Sequence, residues 1–174
     1  MTELTVELLT QADDATIRDL ALLEIIAWGQ MPDTERVEAR KRDLGAEIGR
    51  PNFAAKGFFV GRQSGAVRGV CRIEPMRDTD DEWMVVGLAV HPDHRKLGIA
   101  RVLVRACIRF AGSRGASVIR SMTHRDNQAS IAFHRAVGFA DEDGFVAPDG
   151  DEKVAFSMAV ADQAGQERRL EPND

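Results

Sequence analysis

The stretch Leu88-Ala89-Val90-His91-Pro92-Asp93-His94-Arg95-Lys96-Leu97-Gly98-Ile99-Ala100-Arg101 decides the fold. Upstream, Trp83 to Val90 is a near-continuous apolar run, which predicts a central strand buried on both faces. Downstream, a helix is predicted from about Leu97 to Ala111. Its apolar face is Ile99, Val102, Leu103, Ala106 and Phe110, with Arg101, Arg105 and Arg109 opposite at four-residue spacing. Between them a basic turn feeds a helix start with small residues at its mouth. First-turn amides lack intrahelical partners and can donate to an anion, and the macrodipole adds partial positive charge. Gly98 and Ala100 leave room for a phosphate near the backbone, and Arg95, Lys96 and Arg101 supply full charges. This chemistry suits pyrophosphate or a similar polyanion. The plain alternative is a helix start with glycine for packing and arginines for solubility. Neither G-x-x-x-x-G-K-[ST] nor G-x-G-x-x-G is present.

Outward from this segment, short elements alternate. Leu4 to Leu9 reads as a strand. A helix capped by Thr10 or Asp13 follows to about Trp28, and a charged second one opens at Asp33. Phe58 to Arg62 and Ala66 to Ile73 read as strands joined by a Ser64-Gly65 turn. Ser117 to Met122 is a strand, and Asn127 to Val137 a short helix ended by Gly138. A strand from Phe139 and another from Lys153 to Ala159 complete one mixed α/β domain over residues 1–160. Residues 161–174 form a polar C-terminal tail.

The bulk numbers narrow the partners. The chain has 174 residues, 44% hydrophobic and 29% charged, as expected of one soluble globular domain. A formal net charge of −5 argues against broad nucleic-acid binding and against an anionic membrane surface as partner. Cys71 and Cys107 form no C-x-x-C pair and read as buried small hydrophobes. No leader-like segment or spanning apolar run appears, so a cytoplasmic location is inferred. The chain contains no tyrosine.

The segment from Leu88 to Ala100 resembles the coenzyme A motif of the GNAT superfamily of N-acetyltransferases, [Q/R]-x-x-G-x-[G/A], met by Arg95, Gly98 and Ala100. A second stretch, Asn127-Gln128-Ala129-Ser130-Ile131-Ala132-Phe133-His134-Arg135-Ala136-Val137-Gly138-Phe139, is similar to the family's other signature, an asparagine opening a helix that ends in Gly-Phe. The resemblance covers about Phe58 to Ala159. It implies a mostly antiparallel sheet of about seven strands flanked by about four helices, splayed between the fourth and fifth strands. It also implies acetyl-coenzyme A as co-substrate, no metal, and commonly a homodimer.

Carried over residue by residue, the resemblance lays the pantetheine arm along Leu88, Ala89 and Val90 by strand addition. The pyrophosphate falls on Lys96, Leu97, Gly98, Ile99, Ala100 and Arg101, with Arg95 opening the motif. Asn127, Ser130 and His134 face the coenzyme. A bulge near Val86-Gly87 would help the sheet to split. The chemistry is direct attack of a free amine on the thioester, helped by a donor to the carbonyl, best the amide of Ala89 or Val90.

Many members carry a tyrosine as acid for the thiolate, where this chain has His134. The imidazole could protonate the thiolate, hydrogen-bond the sulfur, or only pack on the coenzyme. For the base, Glu82 is the first candidate, ahead of Glu74 and Glu24, with deprotonation through water an equal alternative. His91 and His94 make a poor zinc site in a turn. Trp28, Met31, Phe53 and Phe145 are candidates for an acceptor pocket, and Asp78, Asp80, Asp81 and Glu82 could draw a cationic amine or simply be solvated. The leading reading is acetyl transfer to a primary amine of a small molecule. Acetylation of a protein or peptide amine, another acyl group, and a non-catalytic coenzyme A-binding module are the alternatives.

Overall fold

Two aspartates start the first two helices. Asp13 Oδ1 accepts from the Thr16 amide and Asp33 Oδ1 from the Arg36 amide, each at 2.8 Å, opening α1 (Asp14–Ala27) and α2 (Thr34–Ile48). Each such cap contributes about 1 kcal/mol. The computed structural model describes residues 3–160, so the expected polar tail at 161–174 lies outside the described residues. These divide into two compact units, 3–74 with Val86–Phe110, and Pro75–Val85 with 111–160.

In the first unit β1 (Leu4–Leu8), β2 (Gly57–Gln63) and β3 (Ala66–Pro75) pair antiparallel in sequence. Ser64 (φ 54°) and Gly65 (φ 78°) turn the β2–β3 hairpin with two positive φ angles, the geometry that matches strand twist. Leu20, Leu23, Leu44, Phe58, Val60 and Val70 form the core. Helix α3 (Ile99–Gly112) lies close to β3 at Gly69, where an added Cβ would fall 2.8 Å from both Ile99 Cγ2 and Leu103 Cδ1. That approach centres the buried face of α3 on Ile99, Leu103 and Cys107. Val102, expected inside, is 42% exposed. Cys71 and Cys107 are buried and free, and burial, with a hydrogen bond that the Cys107 thiol donates to Cys71, pushes the Cys107 thiol well up.

A buried charge ties this unit together. Glu24 is 1% exposed, and its Oε2 accepts from Arg40 Nε and Nη2, both at 2.6 Å. Arg72 Nη2 donates to Oε1, and the Arg72 guanidinium lies 4.6 Å from the centre of the Phe58 ring. One carboxylate therefore joins α1, α2 and β3, and such paired burial is what makes the charge tolerable.

Strand β4 (Glu82–Val90) runs from the second unit into the first. In the second unit it pairs parallel with β5 (Val118–His124), from Glu82↔Val118 to Met84↔Arg120. β5 pairs antiparallel with β8 (Glu152–Ala159), from Val118↔Ala159 to His124↔Lys153. The strand order is β1-β2-β3-β4-β5-β8-β6, giving a mixed α/β fold with a mostly antiparallel sheet. Among the described residues the sheet has eight strands, in keeping with the expected number of about seven; β6 (Ala140–Asp141) and β7 (Phe145–Val146) are two-residue pairings on β8. The expectation that 83–90 is buried on both faces is corrected: only Trp83 and Ala89 are buried, and Val86 is 46% exposed. A ladder to β5 only three residues long secures just the start of the strand. Helix α4 (Gln128–Val137) ends in Gly138 at φ 102°.

Candidate functional site

The first candidate segment leaves β4 at Val90 and enters a 3-10 turn, Pro92–His94, braced by His91 Nδ1 accepting from the Asp93 amide at 3.3 Å. The backbone then twists twice into the left-handed region, at Lys96 (φ 62°) and Gly98 (φ 84°), before Ile99 starts α3. The Val102 amide bonds to the Gly98 carbonyl at 3.1 Å, so the helix begins at once and its first-turn amides point back along the loop. Gly98 serves through its φ: a Cβ built there meets nothing within 4 Å, so the space above it is open. Lys96, Leu97, Gly98 and Arg101 are exposed, Ala100 is half-buried and Ile99 is buried. Leu88 and Val90 are half-buried beside buried Ala89.

Arg95 is committed elsewhere. Its Nη2 donates to the Ala27 carbonyl at 2.7 Å and its Nε to the Val90 carbonyl at 3.3 Å. Ala27 is the last residue of α1, and a guanidinium on a terminal carbonyl satisfies an orphan acceptor at the negative end of that helix. Arg95 thus fastens the loop to α1, a role its place in the motif does not reveal.

The second candidate segment is α4 with the strands it packs on. Asn127 Oδ1 accepts from the Ser130 amide at 3.1 Å, so this side chain caps the helix. His134 is 6% exposed. Its Nδ1 donates to the Ser130 carbonyl at 2.7 Å, and its Nε2 lies 2.8 Å from Ser121 Oγ on β5. The ring stacks on Phe156 at 4.5 Å and 7°, with Phe139 edge-on at 5.4 Å. Burial lowers the His134 pKa below the ordinary imidazole value, and the Ser130 contact opposes this only in part. Ser121 was not singled out in the sequence. The signal was the alternation of β5, where Ile119, Ser121 and Thr123 are the buried positions and a serine stands at one of them.

Glu82 is engaged by Arg120, which also reaches both Glu142 oxygens, at 2.9 and 2.8 Å. The Arg120 hydrogen bond holds the Glu82 carboxyl below the usual range, which makes it a weak proton acceptor. Glu74 pairs with Lys56, and Glu24 is held by its two arginines. Of the aromatic and sulfur candidates, Trp28 (54%), Met31 (77%) and Phe145 (41%) are exposed. Phe53 is buried, 5.7 Å from Phe58, and belongs to the core. Among the described residues no three His, Cys, Asp or Glu side chains gather as metal ligands would, and no helix is long and apolar enough to cross a membrane.

Comparison with known proteins agrees with this layout. The model of the acetyltransferase (GNAT) family matches residues 21–139. The chain is 32% identical over 124 residues to the Mus musculus protein named probable N-acetyltransferase family 8 member 5, covering 69% of this chain and 54% of that one. The chain therefore spans about half the length of this curated relative. Its fold matches the ribosomal-protein-S18-alanine N-acetyltransferase of Escherichia coli, with TM-score 0.66 and 18% identity over 91% of this chain and 94% of that one. It also matches the PaiA N-acetyltransferase of Thermoplasma acidophilum in complex with coenzyme A, with TM-score 0.66 and 15% identity over 88% and 98%. A strand, a left-handed loop and a helix start, followed downstream by an asparagine-capped helix, define an acetyltransferase scaffold. The chain belongs to the GNAT acetyltransferase family.

Proposed function

We propose that this chain is an acetyl-coenzyme A-dependent N-acetyltransferase acting on a primary amine of a small molecule. The observation that carries the reading is the loop with positive φ at Lys96 and Gly98, opening at once into α3. Its amides, from Lys96 to Arg101, take the pyrophosphate, and the Lys96 and Arg101 side chains add charge. Leu88, Ala89 and Val90 carry the pantetheine arm through backbone groups, and an amide of Ala89 or Val90 donates to the thioester oxygen as charge develops. Arg95 holds the loop in place. Asn127 and Ser130 shape α4 on the coenzyme, and His134 handles the proton that must reach the leaving sulfur.

The amine must lose its proton before attack, since an alkylammonium titrates near ~10.4. The acidic run from Asp78 to Glu82 and the net charge of −5 favour a cationic acceptor. Glu82 supports this reading through its field more than as a base, given its pairing with Arg120. A cytoplasmic location and a homodimer belong to the same proposal.

A second reading, acetylation of a peptide N-terminus, draws support from the fold shared with the Escherichia coli enzyme, whose name gives a protein alanine as its acceptor. Calorimetric titration with acetyl-coenzyme A tests the first step: saturable one-to-one binding is expected, and no binding at millimolar ligand would overturn it. Release of coenzyme A thiol with a panel of small amines, beside N-terminal peptides, then decides the acceptor. Turnover confined to the peptides would replace the small-molecule reading.

A further inference from the structure

Arg72 keeps hydrogen-bonding capacity that the fold does not use. Its Nη2 donates to Glu24 Oε1. Its Nε is buried and has no hydrogen-bond partner among the described residues; Glu47 Oε1 stands 3.7 Å away, beyond bonding reach. Its Nη1 also lacks a partner among the described residues, and it lies against Gly87 of β4, where an added Cβ would stand 3.3 Å from it. Chain neighbours apart, no other residue comes closer than 4.0 Å to that point, and Gly87 is half-buried. The recess over this glycine is therefore bounded by one guanidinium and otherwise open. Charge favours the same conclusion. The single Glu24 carboxylate faces two guanidiniums, those of Arg40 and Arg72, so the buried cluster holds one unmatched positive charge. The other carboxylates near it are further out: half-buried Glu47, and exposed Asp43 at 4.0 Å from Arg40 Nη1. A nearly enclosed guanidinium with idle N–H groups is costly until an acceptor oxygen reaches it, and a carboxylate suits it best.

Glu24, Arg40, Arg72, Gly87 and Ala89 all belong to the first compact unit. Residues two apart on a strand share a face, so Gly87 and Ala89 look the same way. Ala89 packs with Phe58 and Val70, and the Arg72 guanidinium lies on the Phe58 ring. The recess thus immediately precedes Leu88, Ala89 and Val90, the backbone proposed to carry the thioester. Two strand residues span about 6.6 Å. A carboxylate bonded at about 2.9 Å and an amine at about 3 to 3.5 Å from the carbonyl it attacks take most of that span. Room remains for an amine and a carboxylate on one carbon, and none for a long spacer. We infer that Arg72 is a specificity-determining residue of this enzyme: its Nη1, over Gly87, takes the carboxylate of the acceptor, which is an α-amino acid. This rests on the acetyl-transfer reading above, keeps its cationic amine, and names what the acceptor carries beside that amine. The free amine nitrogen bonds to the carbonyl carbon, the C–S bond breaks with its electron pair going to sulfur, and one proton of the amine ends on that sulfur. The carboxylate on Arg72 is unchanged, and the products are an N-acetyl amino acid and coenzyme A.

The test uses the full chain, acetyl-coenzyme A and a panel of L-amino acids, each beside the amine left when its carboxylate is removed. In wild type the best amino acid should exceed its decarboxylated amine about tenfold or more in kcat/KM, chiefly through KM. Arg72→Lys keeps a cation for Glu24 but loses the second arm that reaches Gly87. Gly87→Ala fills the recess and leaves the Glu24 pairs in place, and its φ lies outside the left-handed region. Each variant should raise KM for the amino acid about tenfold or more, so that the preference over the decarboxylated amine shrinks to about twofold. Calorimetric binding of acetyl-coenzyme A should stay within about twofold of wild type. A guanidinium that only braced the fold would change stability and leave the preference as it was. With coenzyme binding intact, an unchanged preference in Gly87→Ala, a wild-type preference for the decarboxylated amines, or no turnover of any amino acid would overturn the role of Arg72 alone. Failure of the wild-type chain to bind acetyl-coenzyme A would instead overturn the acetyl-transfer reading and this role with it.

Discussion

Arg120 meets Glu82 through two parallel hydrogen bonds, Nε to Oε2 at 2.6 Å and Nη2 to Oε1 at 2.8 Å. The fork matches the carboxylate edge to edge, and it binds across the parallel β4–β5 ladder. The carboxyl consequently stays ionised below the usual glutamate range, chiefly through that hydrogen bond. A carboxylate with a depressed folded pKa stabilises the native state above its unfolded value, near ~4.3, and loses that contribution as pH falls through the folded one. Melting temperatures of wild type and E82Q should therefore differ by a constant amount above pH 5 and converge in more acidic solution. In turnover, E82Q should keep kcat within about fivefold, since a base so occupied contributes little. A loss beyond about a hundredfold would make Glu82 the base after all.

His134 gives a second pH signature with its own window. Burial lowers its folded pKa, so the unfolded chain binds the proton first as pH falls. Stability from the neutral ring is complete above the unfolded value, near ~6.5, and declines below it until the folded pKa is reached. Thermal scans between pH 5 and 8 should show this slope in wild type and a flatter profile in H134F. Equal slopes would mean that the ring does not stay neutral on folding.

Gly98 separates backbone conformation from space. With φ at 84°, an alanine pays steric strain of about 1 to 2 kcal/mol although its methyl meets nothing. Gly98→Ala should weaken acetyl-coenzyme A binding about tenfold or more in calorimetry while unfolding by urea shows only a modest loss. Undiminished binding would detach the coenzyme from this loop.

Removing Arg72 leaves Glu24 with Arg40 alone and strips the cation from the Phe58 face. Breaking a buried pair costs about 3 to 5 kcal/mol. Arg72→Met should show a loss of that order in urea unfolding, and a loss under about 1 kcal/mol would mean that the cluster is replaceable by apolar packing.

Much of this was legible because it is local. The apolar run into His91-Pro92, the glycine before Ile99, and the asparagine and Gly-Phe around α4 are each set by neighbours within a turn or two. Asp13, Asp33, the Ser64-Gly65 turn and Gly138 did the jobs that their chemistry suggests. What could not be read depends on which distant segments meet. The Glu82–Arg120 fork needs the register Glu82↔Val118 and Met84↔Arg120, which no pattern in either strand specifies. Ser121 gains meaning only when α4 brings His134 over β5. Val102 was misplaced because the face of α3 turns toward Gly69, and a missing side chain leaves no mark in an apolar pattern. Arg95 seemed free for phosphate because its carbonyl partner at Ala27 lies far away in the chain.

The connection from Trp28 to Asp33 is pinned at both ends by arginines from outside it: Arg95 holds the Ala27 carbonyl before it, and Arg36 holds the Met31 carbonyl at 2.5 Å within it. The Glu24 clamp lies in the helices and strand around it and touches the connection lightly, where the Arg40 guanidinium stands 5.8 Å from the centre of the half-exposed Trp28 ring. Trp28 and Met31 are thus mounted like an exchangeable fitting on a fixed frame. Descendants of this scaffold can change what those side chains greet, by substitution or added length, while the loop that opens α3 keeps its shape.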